Sequence, residues 1–199
     1  MLSKASGKIV AGLPQRPPKA KLPLIARSLS QWAVVDPGDR VLDMDCGDGM
    51  LLSYFGQQVP CSLCGMAASV EQYRLLREKL PKADIMYAQP EDIPWHDSSF
   101  DVILCTLPLP HTPEPGKLLK EAMRVLRPGG QILLAMPCYP ALLQRVIARL
   151  TGSGDAKSPP AGGREGMLAV FDSLGFEKTS WRMCGGRVGV AIGWKAMEE

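Results

Sequence analysis

Residues 41–51 read VLDMDCGDGML, an apolar run that enters a loop holding aspartates, a thiol and two glycines. Gly47 and Gly49 carry no Cβ, so backbone there can close on a ligand and take torsions denied to other residues. The amides that open the next helix would face such a ligand and favour a negative group. Asp43 can hold the loop through backbone amides or assist a ligand ammonium. Asp45 is the odd member, a carboxylate set where the chain most needs room. Two other chemistries that use such loops do not fit. A dinucleotide fingerprint needs G-x-G-x-x-G and a later acid for the ribose, whereas Gly47 and Gly49 are followed by Leu52. A calcium loop needs its carboxylates in a fixed register and a closing glutamate. Here Asp43, Asp45 and Asp48 are out of register, and Tyr54 takes the closing place.

Other reactive side chains are sparse. The cysteines are 46, 61, 64, 105, 138 and 184, and CSLC at 61–64 is a lone CxxC without a second pair. That pattern does not make a zinc site. The start of the chain has no signal-peptide pattern and a chain this long does not need staples, so reduced, buried thiols are expected. Cys46, Cys64 and Cys105 are expected toward the carboxyl ends of neighbouring strands. A soft metal is one use of such a thiol cluster, with plain burial the simpler one. Of the two histidines, His96 in PWHDSSFD falls in a turn expected to face solvent, and His111 lies in CTLPLPHTPEP.

Strands and helices must position these residues. LPLIARSLSQWAVV has helical spacing at Leu24, Ile25, Leu29 and Trp32, and DPGD stops it. RVLDMDC reads as a buried strand, GMLLSYFGQQ as a short helix and VPCSLCGM as a weaker strand. SVEQYRLLREKL is a helix ended by Pro81, and ADIMYAQ a third strand. DVILCTLPL, from 101, is nearly all apolar, the pattern of a strand covered on both faces. EPGKLLKEAMRVL is a helix closing at RPGG, whose proline and glycines suit a turn into a fifth strand, QILLAMP. ALLQRVIARL is another helix, and residues 151–163, TGSGDAKSPPAGG, a loop expected to be mobile. REGMLAVFDSLG is a last helix before two strands around Gly185 and Gly186, a hairpin signal. The alternation predicts an α/β fold: a parallel sheet with helices on both sides and one antiparallel addition. Such sheets bind ligands at the carboxyl ends of central strands, where strand order reverses, and the Asp45 loop would lie there.

Bulk properties bound the partners. The chain has 199 residues, enough for one domain with a full core. A net charge of +3 is too small to argue for nucleic acid. Residues 1–21 hold Lys4, Lys8, Arg16, Lys19 and Lys21 without an acid, so they form a basic arm, expected to be flexible, ahead of a single domain at 22–199. No apolar run is long enough for a membrane span, since Pro137 and Pro140 break the best candidate. A soluble cytoplasmic protein is expected, and its oligomeric state is left open.

Four segments in order resemble the class I S-adenosylmethionine-dependent methyltransferases, in particular the small-molecule, quinone-biosynthesis-like branch. VLDMDCGDG looks like the cofactor loop VLDxGxGxG. EDIPWHDSSFDVILC, LLKEAMRVLRPGGQILLAMP and LAVFDSLGFEKTSW resemble the family's three later motifs, and the likeness covers about residues 24–195. It implies a Rossmann-like doubly wound sheet, S-adenosylmethionine as cofactor and a small-molecule acceptor, with S-adenosylhomocysteine as product. The cofactor contacts implied are Asp43, Asp45, Cys46, Gly47, Gly49, Cys64, Gly65, Met66, Gln89, Pro90, Glu91, Thr106 and Leu107. His111 matches a histidine frequent in that branch, which makes it a candidate base or substrate contact, against a loop histidine bonded to backbone. Trp95 is open to covering an adenine edge or to core packing. Met136, Tyr139, Leu142 and Leu143 suit a small apolar substrate or an ordinary core.

The chain departs from the pattern at three places. Asp45 stands for the loop's first glycine. Aligned to the end of the second strand, Cys64 stands for the acid that meets the ribose. At the end of the third strand Gln89 stands for the aspartate that meets adenine, and its amide oxygen can still accept from an amino group. Asp45 either repels the methionine carboxylate of the cofactor or turns outward to pair with its ammonium and sulfonium. A degenerate fold acting as a scaffold is the alternative function.

Overall fold

The computed structural model describes residues 22–89, 91–106, 115–138, 163–185 and 188–197. The basic arm, the helix expected at 141–150, the loop at 151–162 and Gly186 of the hairpin signal lie outside the described residues.

Among the described residues, five helices and seven strands follow the apolar periodicities. In chain order they are α1 (Leu22–Trp32), β1 (Arg40–Asp43), α2 (Met50–Gln58), β2 (Ser62–Ala67), α3 (Val70–Lys79) and β3 (Asp84–Tyr87). They continue as β4 (Phe100–Cys105), α4 (Pro115–Val125), β5 (Leu126–Pro137), α5 (Arg164–Ser173), β6 (Phe176–Met183) and β7 (Val188–Lys195). The sheet order is β3-β2-β1-β4-β5-β7-β6. β1 to β5 run parallel, while β7 lies antiparallel between β5 and β6. β6 thus runs in the same direction as β5, and the one antiparallel strand is β7, the last in sequence, inserted beside β5. Strand order reverses between β1 and β4, where a parallel sheet opens a crevice at its carboxyl ends.

Both faces of the sheet are covered, which explains the continuous apolar runs of β1, β4 and β5. One face carries Leu42, Phe100, Ile103 and Leu134 against Leu118, Leu119 and Ala122 of α4 and Phe171 of α5. The other carries Val41, Val102, Leu104 and Leu133 against Ile25 and Leu29 of α1 and Leu51 and Phe55 of α2. A smaller group, Leu52, Ala67, Leu76 and Ile85, fixes α3 over β2 and β3.

The segment RPGG corrects the sequence expectation. It is no turn ahead of the fifth strand but a bulge inside it, because β5 starts at Leu126, directly after α4. Phe100 pairs with Leu126 and Val102 with Gln131, so Asp101 alone faces residues 127–130. Gly129 takes φ 76° to make this possible. Arg127 pins the bulge by donating to Asp101 Oδ1 at 2.7 Å.

Just past the bulge, Gln131 is buried at 2% exposure. Its side chain accepts from the Val34 amide at 2.8 Å and donates to the Trp32 carbonyl at 3.2 Å, tying the end of α1 to the sheet. Replacing Gln131 by Ala leaves both backbone groups unpaired beside the core. The expected loss is about 2 kcal/mol, read as a lower urea midpoint at an unchanged slope.

Candidate functional site

The loop after β1 is built by its own backbone and by α3. Asp43, fully buried at the end of β1, accepts from the Asp45 amide at 3.1 Å. The Met44 amide reaches Leu104 O on β4 at 3.0 Å, and the Cys46 amide reaches Met66 O on β2 at 3.2 Å. The loop thus spans the strand reversal. Gly47 and Gly49 take φ 55° and 77°, the left-handed region that favours glycine. A Cβ on Gly49 would sit 2.8 Å from a methyl carbon of Leu76 on α3, so that glycine also admits the helix.

Further contacts from α3 were not foreseen from sequence. The Gln72 amide nitrogen donates to Gly47 O at 2.7 Å, and the Lys79 ammonium donates to Asp48 O. The Gln72 side-chain oxygen accepts from the Ala68 amide at 2.8 Å, while Ser69 caps α3 by accepting from the Gln72 amide at 3.1 Å. The signal available was Ser69-x-x-Gln72 before an apolar-periodic run, the pattern of a capping box.

The predicted residues divide by position. Asp45 and Gly47 are half-buried in the loop, and Cys46 is buried beneath it. Burial first, then the Asp43 and Asp45 carboxylates, push the Cys46 thiol well above its ordinary range, so it stays protonated and unreactive. Gly65 pairs with Asp43 across the sheet. A Cβ on Gly65 would lie 2.2 Å from the Cys46 sulfur and 2.8 Å from Leu52, so this glycine makes room for the loop. The Met66 side chain is in the core. Thr106, buried at the end of β4, stands beside the strand reversal. Gln89 is exposed and Glu91 half-buried just past β3, and the Gln89 carbonyl accepts from the Asp92 amide at 3.0 Å. Pro90, Leu107, His111, Tyr139, Leu142 and Leu143 lie outside the described residues.

Other expectations are corrected. Cys64 does not end β2; the strand runs on through Gly65 and Met66 to Ala67, because Met66 and Ala67 still pair with Met86 and Tyr87 of β3. Cys64 packs in the core with Leu42 and Phe100, and Arg40 donates to its sulfur at 3.6 Å. The residue at the strand end, where an acid would meet a ribose, is Ala67. Cys46 packs apart from Cys64 and Cys105, so the three thiols do not converge on one core cluster. Met136 is a core residue. Trp95 donates to Asp84 at the start of β3 and meets Phe100 edge-on at 5.3 Å, which places it away from the carboxyl ends. His96 is exposed, as expected.

A second unforeseen element holds the segment after β3. Arg124 on α4 donates to Ile93 O and Trp95 O, each at 2.9 Å, and to Asp97 at 2.8 Å. Glu121 accepts two bonds from Arg124 and a third from the Ile93 amide. The side-chain bond from Arg124, the largest influence, holds the Glu121 carboxyl below its usual range.

A sequence profile for the methyltransferase domain matches residues 42–134, from β1 through most of β5. Over that stretch, a little under half of its length, the chain is similar to the class I S-adenosylmethionine-dependent methyltransferases. Among its relatives, the 27-O-demethylrifamycin SV methyltransferase of Amycolatopsis mediterranei is 33% identical over 103 residues, 49% of this chain and 38% of that protein. The phthiotriol/phenolphthiotriol dimycocerosates methyltransferase of Mycobacterium tuberculosis is 35% identical over 118 residues, 57% of this chain and 43% of that protein. The match thus spans less than half of either relative's length. The tRNA U34 carboxymethyltransferase of Nautilia profundicola is 32% identical over 118 residues, 54% of this chain and 39% of that protein, so the expected exclusion of nucleic acid has no support. A SAM dependent methyltransferase of Aquifex aeolicus shares the fold, with TM-score 0.68 over 89% of this chain and 93% of that one at 17% identity. Among the described residues no helix is long and apolar enough to cross a membrane.

The family's cofactor is S-adenosylmethionine, and the loop suits it: two left-handed glycines open backbone to a ligand at the strand reversal. Beside those at Asp45 and Gln89, one departure lies at Ala67, which offers no carboxylate.

Two outcomes follow from these contacts. Gly65→Ala is expected to destabilise the fold by about 1–3 kcal/mol through overpacking. Adding Cys46→Ala should return part of that loss, since the two sites share one space; chemical denaturation of a double-mutant cycle measures it. For Glu121, a folded-state pKa below the unfolded one means its contribution is complete above the unfolded value, about 4.3. The contribution is lost as pH falls through the folded value. The stability gap between wild type and Glu121→Gln should therefore close on acidification, and thermal melts across pH 3–7 would record it.

Proposed function

We propose that this chain binds S-adenosylmethionine along the carboxyl ends of β1, β2 and β3 and catalyses methyl transfer to a small-molecule acceptor. One observation carries the reading: a glycine loop with left-handed torsions at the β1–β4 reversal, closed by a fully buried aspartate. The rifamycin and phthiotriol relatives support a small-molecule acceptor, and the tRNA relative is the reason to include RNA among the acceptors tried.

When bound, S-adenosylmethionine supplies a sulfonium-activated methyl for in-line displacement. The chain's own task is then to align acceptor and methyl and to exclude water. Asp43 keeps the loop in shape, and Gly47 and Gly49 let backbone approach the methionine end. Asp45 and Cys46 complete that loop. Gly65 and Met66 support it from β2. Ala67 lies along the ribose, where a missing charge-assisted hydrogen bond costs about 1.5–3 kcal/mol of affinity. Gln89, Pro90 and Glu91 border the adenine, and Thr106 and Leu107 flank the methyl. His111 serves as base or acceptor contact.

Calorimetric titration of ligand-stripped protein with S-adenosylmethionine and S-adenosylhomocysteine tests the reading. Micromolar dissociation constants, about −8 kcal/mol, are expected. Silence to millimolar concentration would favour a non-catalytic scaffold instead.

A further inference from the structure

Gln72 is in a place that a helix cap alone does not require. In an ordinary capping box, the third helical residue returns its side chain to the backbone at the cap. Gln72 sends its oxygen to the Ala68 amide, on the turn after β2. Its nitrogen crosses to Gly47 O, on the loop after β1. One half-buried planar amide thereby joins two turns at the carboxyl ends of adjacent strands. A glutamate would keep the first bond and lack the donor for the second, setting a carboxylate against a carbonyl. Capping explains Ser69 and the oxygen of residue 72, and it does not explain the nitrogen.

We propose that Gln72 is a positioning residue for the cofactor: its amide fixes the spacing between the glycine loop and the β2–α3 turn, so that one ligand can lie on both. This rests on the reading of the preceding subsection, because it presumes a ligand that spans β1 and β2. Gln72 acts through Gly47 and Ala68 rather than by touching the reacting atoms. The loop is also held by Leu76 against Gly49 and by Lys79 on Asp48 O, so removing one donor loosens the loop without releasing α3.

The test compares wild type, Gln72→Glu and Gln131→Ala, the last a destabilised control at the other end of the sheet, in titrations with S-adenosylhomocysteine at pH 8 and pH 5. Gln72→Glu retains the acceptor for Ala68, and when protonated its carboxyl regains a donor toward Gly47 O. The charged groups around it, Asp43, Asp45 and Asp48 on the loop and Glu71 and Lys79 on α3, are common to all three proteins. The ratio of variant to wild type therefore isolates the new carboxyl. The expected result is binding weakened about tenfold at pH 8, a ratio that shrinks severalfold at pH 5, and wild-type affinity in Gln131→Ala despite its lower melting temperature. Equal affinity of Gln72→Glu and wild type at pH 8 would overturn the proposal. So would a loss that is the same at both pH values, or one matched by Gln131→Ala. If Gln72→Glu does not fold, Gln72→Met takes its place: unchanged affinity overturns the proposal, and a tenfold loss with Gln131→Ala unaffected supports it. Failure of wild type itself to bind would remove the cofactor reading and this proposal with it, an outcome distinct from all the others.

Discussion

The structure depends on the placement of β1, a four-residue strand hydrogen-bonded on both sides and covered on both faces. A strand so enclosed has little freedom of register, since a slip of one residue would exchange Val41 and Leu42 between two different helical layers. It also ends in a carboxylate with no solvent exposure. Burying Asp43 is costly, and the cost is offset by the hydrogen bond it accepts from the loop it stabilises. The loop's shape, the crevice at the strand reversal and the approach of backbone to a ligand all follow from where that strand stops.

The loop is a product of its surroundings as much as of its glycines. Positive φ at Gly47 and Gly49 makes the path possible, but α3 selects it from outside through a side-chain amide, an ammonium and two leucines. Gly65 performs the complementary task from beneath, by lacking a side chain where the Cys46 thiol and Leu52 come in. The unusual carboxylate at Asp45 is thus tolerated in a loop whose geometry is set by others. On the far side of the sheet, Arg124 and Glu121 do the same for the segment after β3, holding a chain without regular structure by its carbonyls and amides.

What was legible from sequence, and what was not, follows from the range of the interactions. The elements with strong periodicity were read correctly, because an apolar run or a helical stripe is a local property; β4 and α3 are examples. The glycine loop and the order of motifs pointed to the family and to the sheet. The strand read as VPCSLCGM stops one residue short of Ala67, and the motif alignment puts its functional end at Cys64, three residues short, since nothing local in SLCGMA marks where pairing stops; Ala67 is set by its partners on β3. RPGG read as a turn because proline and glycine make one in most settings. Here the pairing of β4 with residues on both sides of it turned it into a bulge. Gln72 and Arg124 stood in plain view within confident helices. Their roles are invisible locally because their partners lie 25 to 31 residues away in sequence.

The tie between α1 and the sheet bears on how the chain is assembled. Gln131 reaches back 97 and 99 residues to Val34 and Trp32, and the Cys184 thiol donates to Leu24 O across 160 residues. Contacts so distant in sequence form only after the intervening loop closure has been met, and they slow folding accordingly. During synthesis α1 meets β1 and α2 soon after it emerges, whereas its ties to Gln131 of β5 and to Cys184 wait until those segments have followed. The docking of α1 is therefore completed in stages. Its apolar side, Ile25, Ala26 and Leu29, is a surface that a chain still lacking β5 and β7 leaves partly open to solvent.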